Sequence, residues 1–198
     1  MTDLVFLEPN KLGSEPFTTS KVIAEGANIQ HHTVTKLIQK HKTDFEEFGI
    51  LRFKIEEIKG RGQPEKSYQL NEQQATLLIT YLKNTPPVRQ FKKDLVQEFY
   101  RMRRELTRRQ IFRDAGKPIR GTLTDAIRDS GEDGRMHGHA YGTYTDLAYK
   151  AATGKIARIL RKERGASAKA IATDFLTSDE LSAYNKAEER LTVLLDMG

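Results

Sequence analysis

Seven side chains between positions 31 and 40 carry the most specific chemistry in this chain. His31, His32, Thr33, Thr35, Lys36, Gln39 and Lys40 bring imidazole, hydroxyl, ammonium and carboxamide groups together without one carboxylate. Such groups can donate hydrogen bonds to base edges and phosphates, where an acid would be repelled. A second basic group lies in Lys59-Gly-Arg-Gly-Gln-Pro-Glu-Lys66, which supplies Lys59, Arg61 and Lys66 as phosphate contacts.

Signals for covalent chemistry are missing by comparison. Gly154-Lys155 has neither the preceding glycine nor the following hydroxyl of a phosphate-binding loop, and no Ser, His and acid form a nucleophile motif. His137 and His139 have no third ligand at a suitable spacing. We therefore expect no catalytic residue, cofactor or metal, and a binding protein rather than an enzyme.

The elements that must position the donors follow from periodicity. Val34, Leu37 and Ile38 stand at i, i+3 and i+4 and share one helical face, which leaves the donors on the other, over Gln30–Lys42. A preceding helix carries Val22, Ile23 and Ala24 behind the capping hydroxyls Thr18, Thr19 and Ser20, and Gly26 and Asn28 supply the turn. From Leu51, apolar Leu51, Phe53 and Ile55 alternate with Arg52, Lys54 and Glu56, the pattern of a half-buried strand. Ser67–Leu70 reads as its return strand, with the basic loop as the hairpin tip. A helix pair followed by a basic hairpin is a winged-helix arrangement, with the tip beside the recognition helix. The competing reading is a solvated amphipathic helix followed by an ordinary surface turn.

Beyond the hairpin, Asn71 caps a helix bearing Ala75, Leu78, Ile79 and Leu82. A longer helix from Val88 carries the stripe Phe91, Leu95, Phe99, Met102 and Leu106. Its narrowness suits pairing with a second copy, and equally packing within one chain. Arg101, Arg103, Arg104, Arg108, Arg109 and Arg113 follow, either as a solvated face or as a second phosphate path. Ala115-Gly-Lys-Pro-Ile-Arg-Gly121 breaks the pattern, which divides the chain into 1–112, a winged-helix-like domain with a long dimerisation helix, and 113–198, a helical domain. There, residues 122–128 read as a short helix, 129–142 as a glycine-rich loop, 143–154 and 155–165 as a second helix pair, and 178–195 as a final helix. The fold class expected is mainly α with a small β-hairpin.

Composition agrees with a polyanionic partner: the net charge is +6 and the isoelectric point about 9.4. Without cysteine there is no disulfide and no cysteine-ligated zinc finger. No apolar run has the length of a membrane span, and the first residues do not read as a signal peptide, so we expect a cytoplasmic protein.

Several motifs in order carry a family resemblance: Thr19-Ser-Lys-Val-Ile-Ala-Glu25, His32-Thr-Val-Thr-Lys-Leu-Ile-Gln-Lys-His41, Leu70-Asn-Glu-Gln-Gln-Ala-Thr-Leu-Leu78, Phe91-Lys-Lys-Asp-Leu-Val96 and Met102-Arg-Arg-Glu-Leu106. Over about residues 17–107 the chain resembles the Rha (pRha) family of phage regulatory proteins. That resemblance implies an N-terminal winged-helix-like DNA-binding domain in a phage- or prophage-encoded transcriptional regulator of the bacterial host cell. Thr143-Tyr-Thr-Asp-Leu-Ala-Tyr-Lys150 and Arg161-Lys-Glu-Arg-Gly165 resemble C-terminal domains of phage antirepressors. The partners implied are double-stranded DNA, a second copy of the chain in a homodimer or higher oligomer, and, in the alternative reading, a phage repressor protein that the chain binds and inactivates.

Overall fold

Thr19 marks the change from extended to helical backbone: its Oγ1 accepts a hydrogen bond from the Val22 amide at 3.2 Å, a side-chain cap on the following helix. The computed structural model describes residues 3–7, 15–56 and 65–197. It divides into two compact units, Met1–Arg103 and Arg104–Gly198.

The first unit runs β1 (Phe17–Thr19), α1 (Ser20–Gly26), α2 (His31–Lys40), α3 (Lys42–Glu46), β2 (Arg52–Glu56), β3 (Glu65–Asn71), α4 (Glu72–Tyr81) and the opening part of α5 (Pro86–Asp129). Its antiparallel sheet has the order β1-β3-β2, with Thr18 opposite Leu70 and Phe53 opposite Tyr68. β1 joins the hairpin by pairing with β3, and at three residues it is too short for alternation to reveal it in the sequence. Ahead of β1, Phe6 and Phe17 form an isolated antiparallel bridge.

Ile23, Val34, Ile38, Phe45, Leu70 and Leu78 are wholly buried in the core. At the start of α4, Asn71 and Gln74 cap one another reciprocally, and the buried Gln74 amide also donates to the carbonyls of Phe45 and Gly49. Gly26 has a different use from the turn expected of it. Its backbone is helical, but a Cβ there would lie 2.2 Å from the Phe91 ring, so glycine lets α5 approach α1. Asn28 is the residue that adopts the left-handed conformation, with φ of 54°.

Three expectations are corrected here. The stripe Phe91, Leu95 and Phe99 is buried in the core of its own unit, with Met102 partly buried against it and Leu106 half-buried. It is therefore not available as a dimer seam, because it closes the bundle over α1 and α4. Strand β2 is not half-buried: it is an edge strand, and Phe53 and Ile55 remain 47% and 63% exposed. The break expected at 115–121 is instead helical, inside α5. Pro118 removes the amide donor of the Asp114 carbonyl, but Leu123 and Ile127, wholly buried, anchor the following turns, and one turn earlier Gly116 lets Asn185 approach and donate to the Phe112 carbonyl at 2.8 Å. Tertiary packing outweighs the local breaker, and the division between units falls earlier than 112.

The second unit completes α5 and adds α6 (Glu132–Arg135), α7 (Ala140–Thr153), α8 (Ala157–Glu163), a 3₁₀ turn (Ala172–Phe175) and α9 (Ser178–Met197). Gly154 ends α7 with φ of 74°. The stretch read as a loop holds the short α6, bracketed by left-handed Gly131, His137 and Gly138. Ala148, Leu160, Leu176 and Leu181 form the core. Beside them Arg120 pairs with the buried Glu188 at 2.7 Å, and the Tyr184 hydroxyl donates to the same carboxylate oxygen. Burial pushes the Tyr149 phenol up to about 12. Among the described residues, no helix is long and apolar enough to cross a membrane.

Candidate nucleic-acid interface

Helix α2 presents its polar face because its apolar stripe is consumed by the core. Val34 and Ile38 are fully buried and Leu37 half-buried, so His32, Thr33, Lys36, Gln39 and Lys40 are left exposed on the opposite side. The first turn contains no acid and the last contains Lys40. Lys36 and Lys40 have no hydrogen-bond or ion-pair partner among the described residues. A cation without an internal partner is available to a phosphate without first breaking a bond.

Two of the seven donors expected on this face are placed otherwise. Thr35 is 8% exposed, and its hydroxyl donates to the His32 carbonyl at 3.0 Å; it lies next to Val34 on the inner arc of the helix, so it does not reach outward. His31 turns toward α1. Its Nε2 lies 2.8 Å from the buried Ser20 Oγ, which also accepts the Tyr68 amide at 2.9 Å, so His31, Ser20 and Tyr68 bind α2, α1 and β3 together. Ser20 is thus an internal tie, whereas the sequence offered it only as a cap.

The hairpin adjoins this face. Gln39 Nε2 lies 3.5 Å from the Tyr68 hydroxyl. Lys66 stands two residues from Tyr68 on β3 and therefore on the same side of the strand. Its Nζ sits 4.6 Å from the centre of the Phe53 ring, opposite Tyr68 on β2. Gln39 and the Lys66–Phe53 pair are thus tied to the same residue, Tyr68, whose side chain is itself buried in the core. Lys59 and Arg61 lie outside the described residues.

The sequence pattern did not identify Phe53 and Ile55 as surface groups, although it set Lys54 on the polar side. All three are exposed on β2; for Phe53 and Ile55 the alternation points to an interior face that the edge position never supplies. At the end of α2, His41 stacks on Tyr81 with ring centres 4.6 Å apart, and the Tyr81 hydroxyl donates to Asp44 at 2.9 Å. The hydrogen bond to Asp44, then burial and the charges of Asp44 and Glu47, raise the Tyr81 phenol above its ordinary value.

The arginine-rich part of α5 is largely committed to internal pairs. Arg103 bonds Glu72, Arg108 bonds Asp179 and Arg113 bonds Asp174. These acids come from other elements, which is why counting charges along one helix overstates the free positive charge. In the second unit, Arg164 likewise holds Glu180 and Lys155 holds Glu163.

The family described as phage regulatory protein Rha matches residues 18–104, a segment that ends one residue past the first compact unit. No curated protein matches the chain.

Proposed function

Residues 18–104 belong to the phage regulatory protein Rha family, and from that premise we propose that the chain regulates transcription by binding double-stranded DNA with a winged-helix-like N-terminal unit. Helix α2 enters the major groove. His32, Thr33, Lys36, Gln39 and Lys40 face the bases and flanking phosphates, and Lys66 with the Phe53 side of the hairpin lies along the adjacent backbone. The carrying observation is the acid-free outer face of α2 with Lys36 and Lys40 unpaired, joined through Gln39 and Tyr68 to the Lys66 side of the hairpin. Titration of the full chain into a labelled duplex at rising salt tests this reading. Steeply salt-dependent binding supports it; absence of binding even at low salt refutes it.

A second reading, an antirepressor that captures a phage repressor by protein contacts, draws on the last turns of α9. Val193, Leu194 and Met197 are 55%, 66% and 80% exposed there. The same residues are our proposed contact between copies, now that the Phe91 stripe is spent internally. Sedimentation of the parent and of Leu194→Asp separates the two uses. A dimer lost on substitution assigns the turns to self-association, and a monomer in both cases removes self-association through α9.

A further inference from the structure

Beside the proposed DNA face, the first unit holds a half-open groove of about 530 Å³, a volume in the range of small-molecule sites. Its floor is apolar: Ile29 from the turn after α1, Leu37 from α2, Leu82 after α4 and Val88 at the start of α5. Its rim is cationic. Lys36, Lys40 and Lys83 all line it and are exposed, and none has a partner among the described residues. The neighbouring Lys92 differs, because its ammonium donates to the Leu82 carbonyl and to Asn84.

An apolar floor under three unpaired ammonium groups is complementary to a ligand with an oily body and an anionic end. Water satisfies the floor poorly; Tyr81 also lines the groove and its hydroxyl donates to Asp44, but the three ammonium groups have no carboxylate partner among the described residues. The groove follows only the Thr33, Lys36, Leu37 and Lys40 stripe of α2, roughly two turns or about 10 Å, which suits one small molecule better than a protein segment.

We propose that this groove binds a small amphipathic anion, an apolar body ending in a carboxylate or sulfonate, and that this ligand and duplex DNA exclude one another. The exclusion rests on the DNA reading above, since Lys36 and Lys40 serve both the groove rim and the outer face of α2. An anion seated between them neutralises charge that phosphates would otherwise meet, and an effector would release the operator in this way.

The test is calorimetric titration of the full chain with decanoate below its micelle concentration, beside decylamine and decanol. Saturable one-site binding of decanoate is expected, with a dissociation constant below about 1 mM, and weaker or no binding of the cation and the alcohol. Lys83→Glu, a surface change outside the proposed DNA contacts, should weaken decanoate by about two- to fivefold. Absence of decanoate binding, or equal binding of all three probes, overturns the site whatever the protein does with DNA. Duplex displacement is then read separately by anisotropy. A ternary complex with unchanged duplex affinity overturns the exclusion, whereas failure to bind duplex at all defeats the DNA reading and leaves the calorimetric result to decide the groove.

Discussion

Replacing Lys36 and Lys40 together by alanine isolates the electrostatic contribution of α2. Both ammonium groups are exposed and free of internal ion pairs among the described residues, so their loss breaks no native contact. Alanine also favours helix, and fold stability should change by no more than about 0.5 kcal/mol. If each lysine neutralises one phosphate, each contributes about 0.9 to the slope of log affinity against log salt, and the pair about 1.8. Between about 50 and 200 mM salt, a fourfold change, those two contacts account for roughly one decade of lost affinity. Fluorescence anisotropy of a labelled duplex, titrated with parent and double variant across that range, should show weaker binding and a slope shallower by nearly two. A double variant that melts like the parent and keeps its affinity and slope would refute the placement of α2 against phosphates.

Gly26→Ala should cost about 1–3 kcal/mol in denaturant unfolding, because the new methyl lies 2.2 Å from the Phe91 ring and α1 and α5 must part; an unchanged midpoint would mean that they are not so closely packed. Leu95→Ala should cost about 2–5 kcal/mol, equally at every protein concentration, since Leu95 fills the core of its own unit; a loss that depends on concentration would return it to a subunit seam. Thr35→Val should leave the salt slope of duplex binding unaltered and affect only stability, by about 1 kcal/mol, as the hydroxyl serves the His32 carbonyl. Burial alone would raise the Glu180 carboxyl, yet hydrogen bonds from Arg164 and the Thr177 amide hold it below the usual carboxylate range. Its folded value is thus depressed, and the stabilisation is complete above the unfolded carboxylate value and disappears as pH falls through the folded one. Glu180→Gln should flatten the loss of stability over that acidic window in pH-dependent melts, and an identical pH profile would count against the pair.

Local pattern sufficed wherever a short stretch contains both the signal and its physical cause. The apolar step Val34, Leu37, Ile38 defines a helix and its inner face, so the exposed donors of α2 were legible before any fold was known. Thr19 and the Asn71–Gln74 pair satisfy amides within three residues of themselves, and that requirement is readable from spacing. The helical character, the small hairpin and the basic, cysteine-free composition belong to the same class of information.

The tertiary structure decided the questions that depend on what lies opposite a residue. Phe91, Leu95 and Phe99 have the same spacing whether they meet a second copy or their own core, and only the position of α1 and α4 settles it. Phe53 and Ile55 alternate like interior residues, but an edge strand gives them no interior. Pro118 stands where helices usually stop, yet α5 continues through it, with Leu123 and Ile127 buried in the turns that follow. Thr35 and His31 were separated from their neighbours on α2 by contacts no longer than one hydrogen bond. Periodicity fixes which side of an element a residue takes, whereas burial, pairing and strain are properties of two elements at once, and they arise only when the chain has folded.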